Sequence, residues 1–163
     1  MTKLQTKVED KEGEVRQLWT QVEVQDRRID DIEQYSSSNC LLIHGRLPES
    51  RLNLKLPRYA IDRAHRIGRK NSGKKHRPLI VKFISYADRE LNWRAKRLLK
   101  NTGILITESF TAARTRLLDE VKRKFSKELV WTTDGKIVIL GSDDKKHFLT
   151  GRDDLEKNYA DHE

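Results

Sequence analysis

The sequence predicts an α+β chain in three parts: an N-terminal parallel coiled coil over 1–34, a basic antiparallel-sheet domain over 39–110, and a small α+β domain over 111–163. Three observations predict it. Apolar residues recur at heptad spacing through the first 33 positions. The excess of positive charge is confined to the middle of the chain. Short β-rich runs separated by turn residues begin only after Ser38. Residues 35–38, Tyr-Ser-Ser-Ser, read as a polar linker.

Met1, Val8, Val15, Val22 and Ile29 fall at heptad position a, and Leu4, Lys11, Leu18, Gln25 and Ile32 at d. Eight of these ten seam positions are apolar, no proline interrupts them, and Gly13 is the one weak helix former. A helix packed on its own domain would show a wider apolar stripe. Lys7 with Glu12 and Arg28 with Glu33 set opposite charges at g and e, as parallel helices in register require. Ile29 and Ile32 at a and d favour a homotrimer, with a dimer as the alternative. Arg28-Ile29-Asp30-Asp31-Ile32-Glu33 resembles the Arg-h-x-x-h-Glu pattern of parallel trimers, in which the Arg reaches across the seam to a neighbouring Glu. Lys11 and Gln25 at d cost stability and help to set register. A basic leucine zipper is disfavoured, because there the basic region precedes the zipper.

Residues 1–38 hold 6 Lys/Arg and 9 Asp/Glu, residues 39–125 hold 22 and 7, and residues 126–163 hold 6 and 9. The net +9 of the chain is therefore a +15 block between two acidic ends. A block of one sign points to a polyanionic partner. The longest apolar run falls far short of the roughly 18 residues that span a bilayer. The single Cys40 can form no internal disulfide, which agrees with a reducing intracellular setting.

Within the middle block, residues 39–44 read as a buried strand closed by Gly45, 59–67 as a second strand, 78–83 as a third and 104–107 as a fourth. A helix over 87–100 precedes the fourth strand, with Leu91, Ala95, Leu98 and Leu99 at helical spacing. Nine Lys/Arg and one acid, Asp62, lie between Arg58 and Lys82. Strict alternation along the second strand puts Arg63 with Ile61 and Ile67 on one face, and Ala64 with Arg66 on the other. Arg63, Arg66, Arg69, Lys70, Lys74, Lys75, Arg77 and Lys82 are the candidate phosphate contacts.

Asn39-Cys40-Leu41-Leu42-Ile43-His44-Gly45, Ile61-Asp62-Arg63-Ala64-His65-Arg66-Ile67-Gly68, Arg77-Pro78-Leu79-Ile80-Val81-Lys82-Phe83 and Ile106-Thr107-Glu108-Ser109-Phe110, in that order, resemble the first-open-reading-frame protein of LINE-type (non-LTR) retrotransposons. The resemblance implies a trimeric coiled coil, an RNA-recognition-motif (RRM) domain and a small basic C-terminal domain. It also implies a protein that coats its own transcript and acts as a nucleic-acid chaperone. Two departures accompany it. Only residues 46–59, with Pro48 and Pro57, separate the first two strands, so the RRM-like domain is expected to lack its first helix. The stacking aromatics of that motif are missing: Leu42 stands on the first strand, Pro78 and Ile80 on the third, and Phe83 is expected to face the core.

Thr111–Lys127 reads as a helix with Leu117, Leu118, Val121 and Phe125 on one side and Arg114, Arg116, Lys122, Arg123 and Lys124 supplying charge. Residues 129–133 and 136–140 form a hairpin about Asp134-Gly135, residues 146–149 a third strand, and 152–160 a last helix. By the resemblance, Arg114 and Arg116 face nucleic acid together with Arg94, Lys96 and Arg97. Trp131, as a strand residue in a small domain, is expected in the core rather than stacked on a base.

No phosphate-binding loop, nucleophile elbow or metal-ligand cluster occurs in the sequence. Cys40 and His44 share a strand face, and burial is the plainer reading of Cys40. The expectation is a non-enzymatic, cofactor-free, oligomeric binder of single-stranded RNA, or DNA, with little sequence preference, in a cytoplasmic ribonucleoprotein, with the nucleus as an alternative location. The alternatives are a coiled-coil protein-interaction scaffold and a non-functional degenerate copy.

Overall fold

The computed structural model describes residues 3–45, 58–69 and 76–159. The expected absence of a whole helix between the first two strands falls on 46–57, outside the described residues, as do Lys70, Lys74 and Lys75. The chain divides into two compact units, 1–33 and 34–163.

The first unit lies within helix α1 (Lys3–Ser36), a 34-residue helix about 50 Å long at 1.5 Å per residue. Leu4, Val8, Val15, Leu18, Val22, Ile29 and Ile32 are exposed to between 44% and 75% in the single chain. Along the same helix Lys11 pairs with Glu14 at 2.6 Å. α1 continues to Ser36, so two of the four residues expected as linker are helical.

The second unit contains two sheets, each with its own apolar core. Strands β1 (Cys40–His44), β2 (Ile61–Arg66), β3 (Leu79–Phe83) and β4 (Leu105–Glu108) form an antiparallel sheet in the order β2-β3-β1-β4. Its inner face carries Leu41, Ile43, Leu79, Val81, Phe83 and Ile106. Phe83 does face this core, as expected. Leu42 and Ile80 pair across β1 and β3 on the outer face. Strict alternation fails on β2. A bulge between Ile61 and Arg63 resets the register, so Ile61 shares the inner face with Ala64 and Arg66, while Arg63 turns outward beside Lys82.

Helix α2 (Tyr86–Ala95) is capped by Ser85, whose Oγ accepts from the Asp88 amide at 3.1 Å and donates to the Asp88 carboxylate at 2.7 Å. The expected apolar stripe is not the buried one. Leu91 and Leu98 are exposed, and Arg89, Asn92, Trp93 and Lys96 turn inward. A 3₁₀ turn over Lys96–Leu99 then changes the phase, and Leu99 joins the core with Trp93.

Helix α3 (Ala112–Lys124) starts at Thr111, whose Oγ1 accepts from the Arg114 amide at 3.2 Å. It ends on Lys122, Arg123 and Lys124, which suit the negative end of the helix dipole. Strands β5 (Val130–Thr133), β6 (Lys136–Leu140) and β7 (Lys146–Leu149) follow in that order as an antiparallel sheet. Asp134 and Gly135 have φ of 50° and 74°, the two left-handed residues of a tight hairpin turn. Helix α4 (Arg152–Tyr159) closes the described chain. Leu117, Val121, Val130, Ile137, Ile139, Leu149 and Leu155 form the second core.

Candidate nucleic-acid interface

The edge strand β2 and its neighbour β3 carry the first group of cations. Arg63 and Lys82 lie on the outer face, their charged ends 3.6 and 3.9 Å from the Asp62 carboxylate. Both keep substantial exposure, so one acid is shared by two cations at the surface. Arg66 and Arg77 act within the fold. Arg66 Nη1 donates to the Arg77 carbonyl at 2.6 Å, and Arg77 Nη1 donates to the Gly68 carbonyl at 3.0 Å. These bonds tie the two ends of the β2–β3 connection to each other. Arg69 is exposed beside them.

On and after α2, Arg94 is exposed and pairs with Glu90 at 2.9 Å, and Arg97 is exposed. The Lys96 ammonium lies 3.0 Å from the centre of the Trp93 ring. Burial draws the Lys96 pKa below the ordinary lysine value, against the pull of Glu108.

On α3, Arg116, Lys122 and Arg123 are exposed. Arg116 borders a cleft of about 260 Å³ with Arg152 and Glu120, floored by Ala113 and Leu117. Arg114 does not share this surface. It is 5% exposed, and its Nη1 donates to the Gly135 carbonyl at 2.7 Å. The expectation that Arg114 faces nucleic acid is corrected accordingly. Position 114 lies one turn before Leu117 and two before Val121, on the stripe of α3 that the second core covers.

Arg114 belongs to a polar junction joining the end of β4 to the β5–β6 turn, which the sequence reading missed. Arg89 Nη2 donates to Glu108 Oε1 at 2.6 Å, and the same oxygen accepts from the Gly135 amide at 3.0 Å. The Gln34 amide group donates to the Ser109 carbonyl at 3.0 Å and accepts from the Thr111 amide at 3.2 Å. Tyr86 Oη donates to Asp134 at 2.9 Å. Arg89 and Glu108 stand on elements whose polar residues are ordinarily solvated, so spacing alone carried no signal for this junction.

On the outer face of the first sheet, His44 Nε2 lies 2.9 Å from Thr107 Oγ1. Burial raises the Cys40 thiol above its ordinary value, against Lys82 and Arg63, so it remains a neutral thiol at physiological pH. Among the described residues no three His, Cys, Asp or Glu side chains are grouped to hold a metal ion. No helix among them is long and apolar enough to cross a membrane. No protein-family model matches the chain, and no curated protein is recognisably similar to it.

Proposed function

We propose that this chain is an oligomeric, largely sequence-independent single-stranded RNA-binding and chaperone protein of a retrotransposon ribonucleoprotein. The observation that carries the reading is the sheet order β2-β3-β1-β4, the arrangement of an RRM-like split βαβ domain, with Arg63 exposed and Lys82 half-buried on its outer face. Further cations, Arg69, Arg94, Arg97, Arg116, Lys122 and Arg123, are exposed on the same unit. Contacts of this kind neutralise phosphates and release counterions.

The exposed seam of α1 supports self-association as a parallel homotrimer. A trimer multiplies weak phosphate contacts through effective concentration, so that an RNA stays bound while individual contacts exchange. Fast exchange without release is what annealing and strand transfer by a chaperone require.

A salt titration of the full chain with a labelled single-stranded RNA tests the function. The logarithm of affinity should fall linearly with the logarithm of salt concentration, by about 0.7 per phosphate neutralised. Arg63→Ala should weaken binding to every RNA alike and reduce that slope. A loss confined to one RNA sequence would contradict the phosphate-dominated mechanism, and no RNA binding by the full chain would remove the proposed function.

A further inference from the structure

The β5-β6-β7 sheet has two unlike faces. Directly opposed residues share a face, and the register sets Trp131, Val138 and Phe148 side by side across the three strands. The same register puts Thr133 beside Lys136, and Leu140 beside Lys146. All of these alternate with Val130, Ile137, Ile139 and Leu149, which point into the core, so they form the opposite face. Trp131 is therefore not the core residue that a strand position suggested.

Exposure on this face is uneven in a telling way. Trp131 is 37% exposed and Phe148 51%, while Val138 between them is 1% exposed. Lys136 and Lys146 are exposed, and the strand positions of this face include no carboxylate. Two large rings at the outer strands and two ammonium groups match what a single-stranded nucleic acid presents: flat bases for the rings, phosphates for the cations. A hydrophobic protein surface would find no complement for the lysines, and a duplex would keep its bases from the rings. The outer face of the first sheet, where Ile80 lies between Leu42 and His65, offers imidazoles but no large aromatic ring.

We propose that this face is a base-stacking platform for single-stranded nucleic acid, with Trp131 and Phe148 each taking a base and Lys136 and Lys146 the flanking phosphates. The inference rests on the RNA-binding reading above and adds to its phosphate contacts a set of stacking contacts on the three-stranded sheet. It also gives binding a term that salt does not remove.

The test compares the full chain and its variants on a short labelled single-stranded RNA and on an RNA duplex of equal length. Trp131→Leu and Phe148→Leu should each weaken single-strand binding about tenfold, with the salt slope and duplex binding unchanged. Trp131→Phe and Phe148→Tyr, which keep a ring, should retain most of the affinity. Lys136→Ala should reduce the salt slope by about 0.7. Leucine variants that bind like the parent would overturn the platform. So would leucine variants that lose single strand and duplex alike with a lowered unfolding midpoint, since the rings would then only shelter Val138. Dissociation of the oligomer by these variants would assign the face to contact between copies and overturn the proposal. If the parent binds RNA and the leucine variants are silent, the platform alone fails; if the parent binds no RNA, the proposed function fails with it.

Discussion

Arg63 and Arg66 stand three residues apart on one strand and do different work. Arg63 is turned outward and shares Asp62 with Lys82, an exposed arrangement that adds little to stability. Arg66 holds the Arg77 carbonyl across the base of the β2–β3 connection. Arg66→Ala is expected to cost about 1 kcal/mol of folding stability in urea denaturation, the net value of such a bond, whereas Arg63→Ala should leave the midpoint in place. The buried Arg89–Glu108 pair is a larger matter. Both side chains are almost wholly withdrawn from water at 2.6 Å separation. Glu108→Ala takes from the buried guanidinium its 2.6 Å partner, leaving it Glu90 at 3.0 Å, and leaves the Gly135 amide without its acceptor. A loss of about 3 kcal/mol is expected by the same measurement, at the low end for a broken buried pair because Glu90 still faces the cation. Replacing both residues with apolar ones should cost less than the two single changes added together, because neither charge is then stranded.

At the scale of the element, the turns are the least forgiving parts. Gly45, which ends β1, has φ of +110°, and a Cβ there would lie 2.2 Å from the carbonyl oxygen of Gly103. That neighbour is backbone and cannot swing aside. Gly135 has φ of +74°, but its closest neighbour is the Gln34 side chain at 3.1 Å, which is hydrogen-bonded at both ends yet has to yield only a few tenths of an ångström. Gly45→Ala should therefore destabilise the chain more than Gly135→Ala, and thermal unfolding of the two variants side by side checks the order. Both should lose at least about 1 kcal/mol, because each position has a left-handed backbone. Helix α2 shows a different constraint. Its inward face is polar and semi-aromatic because Arg89 is drawn to Glu108 and Trp93 to the core, and this leaves Leu91 outside.

At the scale of the whole molecule, the exposed seam of α1 is the surface on which the proposed oligomer depends. Its isoleucines and valines are exposed in the single chain, and association would remove that apolar surface from water. Ile29→Asp with Ile32→Asp should convert the oligomer to monomer in sedimentation equilibrium and, by removing avidity, weaken RNA binding more than tenfold. The expected parent mass is three chains. A two-chain mass would select the dimer, and monomeric parent protein would remove the seam from the mechanism.

Much of the architecture was legible along the chain. Heptad spacing announced α1, runs of Ile, Val and Leu announced β1, β3 and β6, and Asp134-Gly135 announced the hairpin, because each is a local pattern whose cause lies within a few residues. The candidate site was legible as a charge distribution: Arg63, Arg69, Arg94, Arg97, Arg116, Lys122 and Arg123 are exposed as their composition suggested. What the sequence by itself determined is thus the elements, their order and the segregation of charge. Only the tertiary structure decided which face of each element is covered. A one-residue bulge turned Arg63 away from Ile61, the second core enclosed Arg114, an ion pair from a distant strand rotated α2, and sheet register brought Trp131 and Phe148 to one outer face. Periodicity specifies spacing along an element, but the choice of face belongs to partners brought together by folding from far along the chain.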